Sequence, residues 1–250
     1  MNESGAVQRW KRAVTHRIGK RFLRIVNSFQ ARHSLVATTA VLPNSTFPWI
    51  PALTQATGAI REEFDSVWSH PQEIPSFHEI SPDQARISKG NNWKTYGLYV
   101  FGQPVTRNCA ECPRTAAHLA AIPDLLNAWF SILAPGYHIP PHRGPTKALV
   151  RVHLGLKVPQ ERERCWIRVG ENICSWAEGE CLVFDDTYEH EVRNDTAEYR
   201  CVLFLDINRP MDRIGSRFNG AILRLMQASH YVKDPLKNLT DWNRRLSERT

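Results

Sequence analysis

The sequence predicts a mainly β fold, a sandwich or barrel of short strands with helices flanking it at both ends. Three observations carry that expectation. From Phe130 onward the chain breaks into short strand-like segments: "FSILAPGYHI", "LVRVHLGLKV", "CWIRVG", "ICSWAEGECLVFDD", "EHEVRND" and "YRCVLFLDI". Gly136, Gly170 and Gly179, with "RND" and "DTAE", punctuate them as turns. Many short strands at close spacing belong to sandwiches and barrels, and the segments on either side have helical periodicity instead.

In chain order, "RWKRAVTHRIGKRFLRIVNSF" places Val7, Trp10, Val14, Ile18, Phe22, Ile25 and Phe29 three or four residues apart, with Lys and Arg opposite. That is a basic amphipathic helix, suited either to an anionic membrane surface or to docking on the domain. A second helix is expected near Pro51, with Leu53, Ile60, Phe64 and Val67 on one face. "NNWKTYGLYVFG" (91–102) looks strand-like, and "CPRTAAHLAAIPDLLNAWF" holds one or two short helices broken at Pro123. After the strand block and Pro210, "GAILRLMQASHYV" turns helical again, followed by a charged tail.

Composition limits the function classes. A chain of 250 residues, 42% hydrophobic with eight tryptophans, can bury one large core. No apolar run approaches the roughly 18 residues of a membrane-spanning helix. The start lacks the apolar core of a secretory signal, and the six cysteines (109, 112, 165, 174, 181, 201) are expected as reduced thiols of a cytoplasmic protein. Residues 1–32 hold eight of the 32 basic side chains and one of the 25 acidic ones, so the rest of the chain is neutral and the +7 excess is local. With no recognition motif beyond it, nucleic acid is not the expected partner.

There is no G-x-S-x-G elbow, P-loop or G-x-G-x-x-G, and Cys109–Cys112 is a single C-x-x-C without a second pair. The strand block instead offers His142 and, 48 residues later, His190. Two imidazoles suit iron, zinc or copper. A facial triad adds a carboxylate two residues after the first histidine, but Gly144 stands there. Either Asp185, Asp186 or Glu189 substitutes, or two histidines hold the metal with water and substrate oxygens. Arg151 and His153, two apart in an extended strand, share a face that needs a reason to be polar. Arg200 opens the apolar strand "CVLFLDI", where a buried guanidinium calls for an anion.

The stretches "FSILAPGYHIPPHRGPT", "LVRVHLGL", "WAEGECLVFDDTYEHEV" and "YRCVLFLDI" resemble the aspartyl/asparaginyl β-hydroxylase family of iron(II)- and 2-oxoglutarate-dependent dioxygenases. The resemblance implies a double-stranded β-helix (jelly-roll, cupin-like), with a core at about 92–210 inside a dioxygenase domain at 33–250. Residues 1–32 would be a separate basic segment, and 211–250 C-terminal helices. It implies His142 and His190 as catalytic iron ligands, a two-histidine set in which Gly144 is expected. Arg200 would bind the 2-oxoglutarate C5 carboxylate, and Ser131, Arg151 and His153 would help hold that cosubstrate. The implied reaction spends dioxygen and 2-oxoglutarate, releases succinate and carbon dioxide, and hydroxylates an unactivated C–H bond.

The prime substrate is less constrained. Vertebrate members place an arginine for the substrate's acidic side chain where this chain has Leu149. "CPRT" (112–115), "RVHLGL" and "DINRPM" (206–211) resemble the bacterial lipid A acyl-chain hydroxylase branch, although that branch carries an aspartate in place of Gly144. A lipid acyl chain is the first expectation, a peptide or amino-acid derivative the second, with peripheral association at the inner face of an anionic membrane. Two other classes compete: a non-catalytic β-helix that binds a membrane or partner, and a cupin using zinc or copper.

Overall fold

The computed structural model describes residues 21–228 and 230–248. The first twenty residues of the basic segment lie outside them, and its remainder, α1 (21–32), is helical. Eleven strands follow in two sheets. They are β1 (Val41–Leu42), β2 (Trp93–Val100), β3 (Gln103–Pro104), β4 (Leu125–Leu133), β5 (Tyr137–His142), β6 (Leu149–Lys157), β7 (Cys165–Val169), β8 (Asn172–Ser175), β9 (Cys181–Phe184), β10 (His190–Asn194) and β11 (Arg200–Asn208).

The larger sheet has the order β1-β9-β6-β11-β4-β2-β3, and the smaller β5-β10-β7-β8. Every named pairing is antiparallel. Ile139, Ile167, Val169 and Val192 of the small sheet share a core with Trp93, Leu133, Phe184, Val202 and Phe204 of the large one, so the sheets face each other as a jelly roll.

The period-2 rule of a strand makes the large sheet two-faced. On β6, Val150, Val152, Leu154 and Leu156 turn outward, and on β11 Cys201, Leu203, Leu205 and Ile207 do the same. They pack under α2 (Ile50–Gln55), α3 (Thr57–Trp68) and α6 (Pro113–Ala120), through Leu53, Ile60, Phe64 and Leu119. The alternate residues Arg151, His153, Arg200, Phe204 and Asp206 therefore lie on the face turned toward the small sheet. Both faces of β11 are buried, which is why its sequence reads as an unbroken apolar run.

One local reading changes. The stretch after Pro123 is strand from Leu125, five residues before the β pattern is legible, and Asp124 turns the chain with φ +57°. "LLNAWF" is buried on both sides, so it has no alternation to distinguish it from a buried helix. The C-terminal segment consists of α7 (Arg213–Ala228) and α8 (His230–Ser247), and α8 takes in the charged stretch. In α8 Leu239 is buried, Trp242 Nε1 donates to Glu73 O at 2.7 Å, and Asn238 Nδ2 to Ile80 O at 3.0 Å.

A carboxylate ties α3 to α6. Buried Glu63 accepts hydrogen bonds from Arg114 N (2.9 Å), Thr115 N (2.8 Å) and Thr115 Oγ1 (2.6 Å) at the start of α6. Burial pushes its carboxyl up, but these donors outweigh burial and hold it below the usual value. The stabilisation is thus present above the unfolded-state pKa and is lost as pH falls through the depressed one. Glu63→Gln should lower stability by about 1–3 kcal/mol at pH 7. Thermal unfolding between neutral and acid pH should then fall less steeply in the variant than in the parent.

Candidate active site

His142 ends β5 and His190 begins β10, and the two are Cα partners across the small sheet. Their ring centroids are 4.1 Å apart. Each Nδ1–H donates to a carbonyl two residues earlier, His142 to Pro140 O and His190 to Tyr188 O, both at 2.9 Å. A carbonyl can only accept, so the proton is on Nδ1 and the lone pair on Nε2, the tautomer a metal requires. Burial lowers His142 to about 4, helped by the charges of Arg151 and Arg86. It lowers His190 to about 3, helped by His142 and Arg151. Both rings are neutral at pH 7, the ligand form.

The glycine in the third-ligand place has a structural cause. A β-carbon at Gly144 would lie 2.1 Å from Asp186 Oδ2, so the Asp186 carboxylate fills the space a side chain would take. Gly144 N also donates to Asp186 O at 2.7 Å. Asp186 is buried, with Arg151 Nη2 3.0 Å from Oδ2. Burial raises its carboxyl to about 6 against the pull of Arg151. The other two acids are engaged elsewhere. Asp185 is 2.6 Å from both Lys147 Nζ and Arg209 Nη2, and Glu189 lies on the side of Arg168 (3.4 Å) and Arg143 (3.9 Å). Among the described residues, no three His, Cys, Asp or Glu side chains converge as metal ligands. The donor set is two imidazoles with a carboxylate beside them.

On the inner face of the large sheet lies a cluster of buried polar side chains, several without partners. Arg200 is 1% exposed. Its Nη1 donates to Ser131 O at 3.2 Å, its guanidinium lies 4.5 Å over the Trp176 ring, and Nε has no partner. Both ring nitrogens of His153 and Nε1 of Trp176 are also buried without partners. His153 is stacked on Trp176 and packed against Phe184 and Phe204. Burial drives its pKa well below the usual histidine value, with Arg200 and Arg151 adding to the effect. Ser131 Oγ accepts from Trp93 Nε1 at 3.0 Å, which leaves its own proton to donate. A buried cation beside orphaned N–H groups requires an anion, and a guanidinium fork suits a carboxylate. This donor set fits a carboxylate.

Arg151 is placed differently. It shares the inner face with His153, as its spacing requires, but Asp206 Oδ1 (2.9 Å) and Asp186 already hold it. Trp176 carried no expected role, because a single tryptophan has no motif until the fold brings it under Arg200. The pair Cys109 and Cys112 forms no site, and all six cysteines are free thiols.

A cavity of about 190 Å³ opens beside His142, Gly144 and Asp186 and runs toward α8. Phe77, Ile80, Val100, Leu149, Met226 and Leu239 give it an apolar wall, and exposed Arg86 and Arg143 also border it.

Comparison with known proteins identifies the family. Residues 54–210 match the aspartyl/asparaginyl beta-hydroxylase family. The chain belongs to that family. The ornithine lipid ester-linked acyl 2-hydroxylase of Rhizobium tropici is 38% identical over 218 residues, covering 87% of this chain and 78% of that one. The aspartyl/asparaginyl beta-hydroxylase of Homo sapiens is 33% identical over 134 residues, covering 52% of this chain but only 17% of the human protein. The human aspartate beta-hydroxylase domain-containing protein 2 is 39% identical over 127 residues, covering 47% and 34%. In this β-hydroxylase family member the matched family region ends at Pro210, before α7 and α8.

The close approach at Gly144 is testable. Gly144→Ala should cost about 1–3 kcal/mol, because Asp186 is buried and held by Arg151. In an Asp186→Gly background most of that loss should disappear. Equal losses in both backgrounds, measured by denaturant unfolding, would show that the two residues do not compete for one space.

Proposed function

We propose that this β-hydroxylase family member is an iron(II)- and 2-oxoglutarate-dependent dioxygenase that hydroxylates an unactivated C–H bond of a lipid acyl chain. The observation that carries the reading is Arg200, fully buried with no carboxylate partner, its guanidinium over the Trp176 ring and its Nε without a partner. A non-catalytic domain has no use for so costly an arrangement, and a zinc or copper cupin leaves its anion unassigned.

His142 and His190 would hold the metal through Nε2. When bound, iron and 2-oxoglutarate supply the oxidising chemistry, in which dioxygen gives the product hydroxyl and 2-oxoglutarate is released as succinate and carbon dioxide. The rest is positioning by this chain. Arg200, Ser131, His153 and Trp176 bind the distal carboxylate and so orient the oxo-acid end toward the histidines. Phe184 and Phe204 exclude water around His153. Arg151, tied to Asp186 and Asp206, neutralises that side and keeps the Asp186 carboxylate against Gly144.

The apolar cavity supports an acyl chain as prime substrate. Leu149 lies in its wall, where the vertebrate-type resemblance expects an arginine, and the nearest interior cation, Arg151, is already held by two carboxylates. The Rhizobium tropici relative, named for acyl 2-hydroxylation of ornithine lipid, adds support. A lipid substrate implies work at the inner face of the cytoplasmic membrane, and the six free thiols accord with a reducing compartment. No helix of the described residues is long and apolar enough to cross a membrane.

His142→Ala or His190→Ala should reduce iron-dependent succinate formation by about 100-fold or more. Full activity in either variant rejects the ligand assignment. Arg200→Met should raise the 2-oxoglutarate requirement about 30-fold or more while leaving thermal stability unchanged or higher, since an unpaired buried charge is removed. An unchanged requirement would make Arg200 structural.

A further inference from the structure

Helices α1 and α7 carry an apolar surface that nothing among the described residues covers. On α1, Phe22 and Ile25 are 58% and 61% exposed; on α7, Ile214 and Leu225 are 62% and 70% exposed. At about 100° per residue, Phe22, Ile25 and Phe29 fall within one narrow stripe of α1, and Ile214, Phe218, Ala221 and Leu225 within one of α7. The rings of Phe29 and Phe218 pack at a tilt with centroids 4.4 Å apart, so the two stripes join where the helices meet. Gln30 and Asn219 fix the same contact with a buried hydrogen bond of 3.0 Å.

Charge states what this surface faces. Exposed Arg21, Arg24 and Arg32 flank the stripe on α1, and exposed Arg213, Arg217 and Arg224 flank it on α7. Neither helix contains an acidic residue, and none of these six arginines is in an ion pair among the described residues. Apolar side chains bordered by long cations suit an anionic bilayer, where the hydrocarbon enters the interface and the guanidinium groups reach lipid phosphates.

The surface also shares walls with the cavity. Asn27 of α1 accepts from Lys147 N at 3.0 Å and donates to Pro145 O at 3.4 Å, bracing the loop whose Pro145 and Thr146 line the cavity. Met226 of α7 lines the cavity too, next to exposed Leu225.

We propose that α1 and α7 together form a docking face for an anionic phospholipid surface, which sets the cavity beside the bilayer. The inference rests on the lipid-substrate reading for its purpose but not for its test. Full-length protein would be sedimented with phosphatidylcholine vesicles with and without phosphatidylglycerol. Two double variants at exposed positions, Ile25→Glu with Leu225→Glu and Arg217→Glu with Arg224→Glu, would be run beside it.

The parent should bind the anionic vesicles alone and release in salt. Each double variant should bind about ten-fold more weakly or worse, with an unchanged melting temperature. A parent that ignores anionic vesicles overturns the proposal. So do variants that bind as the parent does, which would move the contact to residues 1–20, and variants that lose only a self-associated dimer, which would make a second copy the occupant. If vesicle binding behaves as expected but no lipid is hydroxylated, the docking face stands and the lipid-substrate reading falls.

Discussion

One buried charge organises the interior of this protein. Arg200 sits at the start of a central strand, with its guanidinium over Trp176 and no carboxylate to meet it. Leaving such a group desolvated is among the most expensive arrangements a fold can hold. Ser131 O, the Trp176 ring and the Cys165 thiol relieve only part of that cost, because none of them carries a carboxylate's charge. His153 is held neutral by burial and nearby positive charge, and the Trp176 indole N–H can only donate. A complementary carboxylate would meet all three at once.

The jelly roll makes such a pocket possible by dividing labour between strand faces. On β6 and β11 the outward residues are aliphatic and fill the core beneath α2, α3 and α6. The inward residues divide: Val202 and Phe204 join the core shared with the small sheet, whereas Arg151, His153 and Arg200 form the polar cluster. The smaller sheet closes the other side and contributes one histidine from each of two paired strands. Because β5 and β10 are held in antiparallel register, the ring spacing is inherited from backbone pairing rather than from long flexible side chains.

The C-terminal helices act on the same site from outside the matched family region. α8 brings Leu239 to within 2.7 Å of where a β-carbon on Gly97 would be, so β2 is bare at that point to admit it. Together with Met226 of α7, this converts the open edge of the barrel into an apolar cavity beside the histidines. The C-terminal helices therefore shape the cavity that opens beside the two histidines.

Much of this was legible in the residues alone. Period-2 alternation announced the strand block, and the Arg151–His153 spacing required a shared polar face, because side-chain direction in a strand is set locally. His142, His190 and Arg200 stood out because charge and imidazole are conspicuous in apolar segments. Other features depended on distance through space. Ser131 and Trp93 meet across neighbouring strands, and Trp176 reaches Arg200 from a loop. β4 lacked an alternating signal because both of its faces are buried. Gly144 was a missing ligand in the sequence and became a necessity only once Asp186 was seen filling its space. Local chemistry follows from covalent neighbours and backbone period, whereas which groups exclude, pair with or abandon one another is decided by packing between segments far apart in the chain.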